Sequence, residues 1–354
     1  MCCYTCIKGV CESIKMKNLF LFIALFISSA LSNIVIRPSD HVLWGTDYEL
    51  YSRRSADLDT APVQLTPPGS TVHHIIRPSD VPPDPQFDTD FWGSVEFAPV
   101  PAFRIDTHDP VSQDIFISGS VHAKQQPWDV FVWDRLVAIL SGTIDRIPVM
   151  VDVGANLGYF SLAGASIGAH VIAFEPMSRN ARKFSKSIVK NGFESKVTLF
   201  QNAVWADVQS VPLRLDATSA SNQGNGQIAS SSVEATGVYG VDYVNTVSLS
   251  HVIREDVDVL KIDTEGTEAV VISGAKRLIC NFSVRYILME FTEVKTKTTD
   301  TIFSVTEMLS FLDSAGYTVS DVTPGAPTLS IQDYEQFPPN VLFTLKGSRP
   351  TCPV

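Results

Sequence analysis

The run VMVDVGANLGYF at residues 149–160 decides how this chain folds. Its first five residues are apolar on both sides of the strand alternation, apart from one acid, Asp152. Gly154 and Gly158 then bracket Asn156, and a helix-like pattern begins. A strand that is apolar on both faces belongs inside a parallel sheet covered by helices. A glycine turn at its carboxyl end lets backbone come close to a ligand or a neighbouring strand, because no Cβ is in the way. Strand, turn and helix in this order open a doubly wound α/β fold.

The same rhythm continues in both directions from the turn. HVIAFEP (170–176), VTLFQNAVW (197–205), VDVLKIDTEG (257–266) and VRYILMEFTE (284–293) read as further buried strands. Helices are expected at about 158–167, 178–191, 267–280 and 302–315. YTVSDVT (317–323) and NVLFTLKG (340–347) have no helical pattern between them, so they are expected to form an antiparallel edge pair. Upstream, FRIDTHDPVSQDIFISGSV reads as short strands and turns starting near Ala102. Residues 216–245 are rich in Ser, Gly, Asn and Thr and are longer than an ordinary connection, which points to a lid or a solvated insertion.

Three segments follow. Residues 1–36 form a leader, residues 37–101 a Pro-rich stem or linker, and residues 102–354 the body, with its core at 149–347. The leader holds four of the six cysteines and then Met16-Lys17-Asn18 before an apolar run. Leu19–Ser32 fits a signal peptide with small residues at Ala30 and Ser32, whereas Leu19–Ile36 is long enough for a signal anchor. Either places the body in the secretory pathway, lumenal, secreted or tethered to a membrane by a single pass. Asn281-Phe282-Ser283 is a glycosylation sequon, and Cys280 beside it is a candidate partner for Cys352.

The 354 residues are 45% hydrophobic and 18% charged, with net charge −11 and pI about 5.1. Lys and Arg form no stripe, which argues against nucleic acid as a partner, since such binding rests on clustered phosphate contacts. The seven histidines are scattered, and no metal site is indicated.

The polar residues of interest lie at the carboxyl ends of the strands, where open α/β sheets bind ligands. Asp152, Gly154, Asn156 and Gly158 close the first strand, Glu175 the second, and Asp263 and Glu265 the fourth. Asn202 and Ala203 lie late in the third, and Glu290 and Glu293 in or just past the fifth. The turn spacing D-x-G-x-N-x-G lacks the third glycine of a dinucleotide fingerprint and has an acid before the first. Such a turn disfavours a pyrophosphate and favours a ligand carrying positive charge, such as a sulfonium or an amino group. Glu175, roughly 20 residues further on, stands where an acid takes ribose hydroxyls.

VDVGANLGYFSL, VIAFEP and VLKIDTEGTEAVVISGA together resemble the FkbM family of class I S-adenosylmethionine-dependent methyltransferases. The likeness spans about Val149–Glu293, with a weaker echo in DIFISGSV and QPWD. It departs at Ser250, where the family often has Asp. The resemblance implies S-adenosyl-L-methionine as cofactor, held by Asp152, Gly154, Asn156, Gly158 and Glu175, with Asn202 and Ala203 near the adenine. It also implies a hydroxyl acceptor on a sugar, glycan or other secondary metabolite. Asp263 would face the transferring methyl, and Asp263 or Glu265 would act as base or orient the acceptor. Lys261, inside a strand, is expected either to pair with a buried acid or to be purely structural. Two other classes compete: an NAD-type Rossmann oxidoreductase, and a non-catalytic secreted binding protein that keeps the fold.

Overall fold

The computed structural model describes residues 89–108, 117–123, 126–215, 226–228, 240–292 and 303–352. The leader, its apolar run Leu19–Ile36, most of the stem, and Glu293 lie outside the described residues. No helix among the described residues is long and apolar enough to cross a membrane.

The chain runs β1 (Phe91–Val95), β2 (Phe103–Thr107), α1 (Ile117–Ala123), α2 (Val130–Gly142), β3 (Val149–Val153), α3 (Tyr159–Ile167), β4 (His170–Phe174) and α4 (Ser178–Asn191). It continues with β5 (Val197–Phe200), β6 (Ala203–Val204), β7 (Ser210–Leu215), β8 (Gly226–Ile228), β9 (Gly240–Val247), α5 (Leu249–Val252) and β10 (Val257–Ile262). Last come α6 (Glu268–Asn281), β11 (Val284–Glu290), α7 (Val305–Ser314), β12 (Tyr317–Asp321), a 3-10 helix (Ile331–Gln336) and β13 (Asn340–Leu345).

Seven strands form the main sheet in the order β12-β13-β11-β10-β3-β4-β5. β5, β4, β3, β10 and β11 are mutually parallel, and β13 runs antiparallel to both of its neighbours. The expected pairing of β12 with β13 is present. β13, however, inserts between β11 and β12, so only one strand is reversed against the rest. The connection between the two carries the 3-10 helix rather than plain loop.

Side-chain alternation splits the core between the two faces of this sheet. Val149, Val151 and Val153 of β3 join Leu260 and Ile262 of β10 under α5, α6 and α7. Met150 and Val259 point the other way, into a cluster with Trp133, Leu136 and Leu140 of α2, Leu162 of α3 and Phe184 of α4. A helix layer on each face explains why these strands read as continuous apolar runs. Fully burying one such side chain stabilises by about 1.5–3 kcal/mol.

Three upstream and insertion segments differ from the sequence expectation. The ordered body begins earlier than Ala102: β1 lies within the stretch read as stem and pairs with β2 across Val95↔Phe103. Lys183 of α4 fastens this hairpin, bonding Asp106 Oδ1 and the carbonyl of Thr89 at 3.0 Å each. The segment ISGSVHA is helical (α1) and not strand or turn, burying Ile117 and Val121 on the α2 and α3 side. Parts of the 216–245 stretch, read as irregular, belong to strands: β8 and β9 pair with β7, and β9 with β6, in a small four-stranded sheet.

Candidate active site

The strand order reverses direction at β3, with β4 on one side and β10 on the other. The carboxyl ends of β3, β4, β10 and β11 open into one cavity. It is lined by Gly154, Asn156, Glu175, Asn202, Ala203, Asp263, Glu265 and Glu290, and walled by Trp128, Asp129, Phe160, Lys261 and Asn340. Seven of the nine expected site residues thus share one cavity. Asp152 and Gly158 do not line it.

The two glycines owe their identity to packing. Gly154 has φ +77°, and a Cβ there would lie 1.8 Å from the carbonyl oxygen of Asp263. Gly158 has φ +81°, and its Cβ would enter the Phe184 ring at 2.1 Å. Gly158 therefore seats α3 against α4 and does not face the cavity. Asp152 is fully buried beneath the turn; the Ser161 hydroxyl donates to its Oδ2 at 2.7 Å, and Lys261 Nζ lies 3.5 Å from its Oδ1.

Glu175 leaves the end of β4 and turns its carboxylate back to the glycine turn. Its Oε2 accepts the Asn156 N–H at 2.8 Å and its Oε1 accepts the Met177 N–H at 2.9 Å. Burial pushes this carboxyl up to about 7, against the opposing effect of the two amides. Asn202 is fully buried, its Nδ2 donating to the Asn245 carbonyl at 3.1 Å. Among the described residues, neither its Oδ1 nor that of Asn156 has a hydrogen-bond partner. Buried acceptors left unpaired are costly, so these two mark places where a donor on a ligand would be stabilised.

On the other side of β3, Lys261 is buried between carboxylates. Its Nζ donates to Asp263 Oδ2 at 3.2 Å, faces Asp152, and stands 5.2 Å over the Phe160 ring. Burial works against the charge of this amine, but Asp263 and Asp152 outweigh it and hold the pKa above the ordinary lysine value. Asp263 keeps 39% of its side chain exposed, whereas Lys261 keeps 6%. The turn after Asp263 is pinned by Glu268: its Oε1 accepts from Thr264 N at 2.9 Å, Thr264 Oγ1 at 3.0 Å and Gly266 N at 3.2 Å. Glu265 takes φ +57° within that turn.

Sequence reasoning gave no site role to Glu290, Trp128, Asp129 or Asn340. Glu290 ends β11 beside Asp263, and burial pushes its carboxyl up to about 9, helped by the negative charges of Asp263 and Glu265. Asp129 caps α2, accepting Val132 N–H on Oδ1 at 3.3 Å, and its Oδ2 accepts from Asn340 Nδ2 at 2.9 Å. That bond closes the wall of the cavity between α2 and β13. Burial raises the Asp129 carboxyl too. Ser250, where the family often has Asp, lies elsewhere: its Oγ accepts the N–H groups of Arg277 and Leu278 at 3.1 and 3.2 Å and pins α5 to α6.

The sheet is seven-stranded and mostly parallel with one reversed strand next to its edge, a doubly wound α/β architecture, and its cavity opens at the switch point. Residues 152–319 match the family model described as the Methyltransferase FkbM domain. Among solved structures it is similar to the methyltransferase FkbM from Methylobacillus flagellatus KT. The identity is 18% and the TM-score 0.36, covering 58% of this chain and 45% of that one. An O-methyltransferase from Bacillus cereus, in complex with SAH, is similar at 10% identity and TM-score 0.34, over 68% of this chain and 92% of that chain. The precorrin-6y C5,15-methyltransferase from Geobacter metallireducens GS-15 gives 15%, 0.30, 62% and 89% for the same quantities. This chain thus spans less than half the length of the Methylobacillus protein. No curated protein matches it at a significant level.

Proposed function

We propose that the protein is an S-adenosyl-L-methionine-dependent O-methyltransferase acting on a hydroxyl of a glycan or another hydroxylated small molecule. The carrying observation is the placement of Glu175 and Asp263 on either side of β3, both lining one cavity. Glu175 is held by two backbone amides and keeps lone pairs for two ribose hydroxyls. Asn202 Oδ1 offers an unpaired acceptor to an adenine amino group, and Gly154 and Asn156 form the turn beneath the methionine part. The acids around this turn oppose a pyrophosphate, which counts against the NAD-type reading.

When bound, S-adenosyl-L-methionine supplies an electrophilic methyl group. The chain's own task is alignment and removal of one proton. Asp263 orients the acceptor hydroxyl, accepts its proton as the new O–C bond forms, and releases it to solvent through its exposed side. Lys261 fixes the carboxylate that does this. Glu265 lines the same cavity and helps to hold the acceptor.

The body works in the secretory pathway. The Cys280–Cys352 disulfide, with Cα atoms 5.5 Å apart, supports an oxidising compartment. So does Leu19–Ile36 in the sequence.

Labelled methyl transfer from S-adenosyl-L-methionine to a panel of sugar and polyketide hydroxyls, amines and carboxylates tests the reading. Label on hydroxyl oxygen, reduced about 10²-fold or more by Asp263→Asn, is the expected result. Transfer confined to amines or carboxylates would contradict it.

A further inference from the structure

β10 and β11 lie side by side and parallel, with Ile262 opposite Met289, so the next residues, Asp263 and Glu290, meet at the strand ends. Both line the cavity, so two acidic side chains share one strand-end corner. Two neighbouring carboxylates in a partly buried corner repel each other, and the pair is relieved when one of them is a carboxylic acid that donates to the other. The surroundings decide which. Asp263 is bonded to the buried ammonium of Lys261, which favours its charged form. Glu290 feels the negative charges of Asp263, Glu265 and Glu268, and β13 sets the neutral Asn340 opposite it in register. Lys261 feels Glu290 more weakly than it feels Asp263 and Asp152. Asp129, on the α2 side, adds a further acid next to Asp263.

We propose that Glu290 is a positioning residue for Asp263: its protonated carboxyl donates a hydrogen bond to the Asp263 carboxylate and fixes it against Lys261, in the orientation that meets the acceptor hydroxyl. This rests on the reading of Asp263 as the group that contacts the acceptor. Lys261 on one side and Glu290 on the other then hold the Asp263 carboxylate toward the cavity. Loss of the Glu290 proton replaces a hydrogen bond by repulsion between two anions. Since burial holds Glu290 up at about 9, the arrangement is intact at neutral pH and is lost as the pH rises through that value.

The full chain is compared with Glu290→Gln, which keeps a neutral donor of the same shape, and Glu290→Leu, which removes it. The first readout needs no acceptor. Difference infrared spectra between wild type and Glu290→Gln at neutral pH should contain one carboxylic-acid C=O band, and this band should titrate away near pH 9. Absence of the band means that Glu290 is ionised, and overturns the proposal. The second readout is methyl transfer. Glu290→Leu should lower kcat about 10²-fold, as expected for a misplaced reacting group, with KM for S-adenosyl-L-methionine unchanged. Glu290→Gln should recover most of the kcat that Glu290→Leu loses, and should lose the alkaline fall in kcat. An alkaline limb that persists in Glu290→Gln contradicts the proposal. Thermal melting of both variants separates a folding defect from either outcome, and the infrared band stands whether or not the cofactor assignment holds.

Discussion

A Cβ on Gly154 would sit 1.8 Å from the carbonyl oxygen of Asp263, so the glycine turn after β3 and the acidic turn after β10 touch through backbone. The first turn reaches its position only without a side chain, and the second presents Asp263 only from that position. Gly154→Ala is expected to cost about 1–3 kcal/mol from the left-handed backbone alone, with further loss from the displaced strand end. Gly192→Ala is the control: φ is +67° there, but nothing lies within 4 Å of the added Cβ. Urea unfolding should show Gly154→Ala clearly less stable than Gly192→Ala; equal midpoints would mean the close approach has no energetic consequence.

Lys261 is the cation shared by Asp152 and Asp263. Lys261→Met leaves buried Asp152 without its counter-charge, and removal of one partner from a buried pair typically costs about 3–5 kcal/mol. Adding Asp152→Asn to Lys261→Met should recover part of that loss. A double variant no more stable than the single one would show that the strain lies elsewhere.

The Glu175 carboxyl, raised to about 7 by burial, should make cofactor affinity depend on pH. Ribose hydroxyls donate to the ionised form, so affinity is full above about 7 and declines as the pH falls through it. Glu175→Ala should weaken binding by about 1–3 kcal/mol, and Glu175→Gln should flatten the pH dependence. Titration calorimetry at several pH values reads both; a wild-type profile as flat as that of Glu175→Gln would remove Glu175 from the site.

Compartment is read from the other end of the sheet. Asn281 is exposed at the end of α6, one residue after Cys280 and its bond to Cys352. Full-length protein from a eukaryotic secretory host should lack free thiols at these two positions. It should also show a glycosidase-sensitive mass shift that Asn281→Gln abolishes. Cys352→Ser should lower stability by about 2–4 kcal/mol. Recovery of the full-length chain in the cytosol with both thiols reduced would contradict the secretory reading and leave the catalytic one standing.

The sheet and its strand-end acids were legible because their signal is local. Runs such as VIAF and VDVLKI are buried on both faces, and the acid that follows each, Glu175 and Asp263, marks its carboxyl end. The turn glycines were legible as glycines, but not their reason: the Asp263 carbonyl and the Phe184 ring come from residues 109 and 26 positions away along the chain. Helix α2 was missed although Asp129 stands as a cap before Val132, Trp133, Leu136, Val137 and Leu140, which bury one helical face. Asn340 meets Asp129 across 211 residues, and no local pattern announces that contact. Glu290 could be placed at a strand end from its sequence, but its role depends on Asp263 lying beside it, which only the register of β10 and β11 reveals.

Calorimetric titration of the full-length protein with S-adenosyl-L-methionine, S-adenosylhomocysteine and NAD+ tests the central claim most directly. The acidic turn around Glu175 and Asp263 predicts saturable heat for the first two ligands and none for NAD+, with the S-adenosyl-L-methionine signal weakened in Glu175→Ala. Saturable binding of NAD+ with no response to either sulfur ligand would contradict the account.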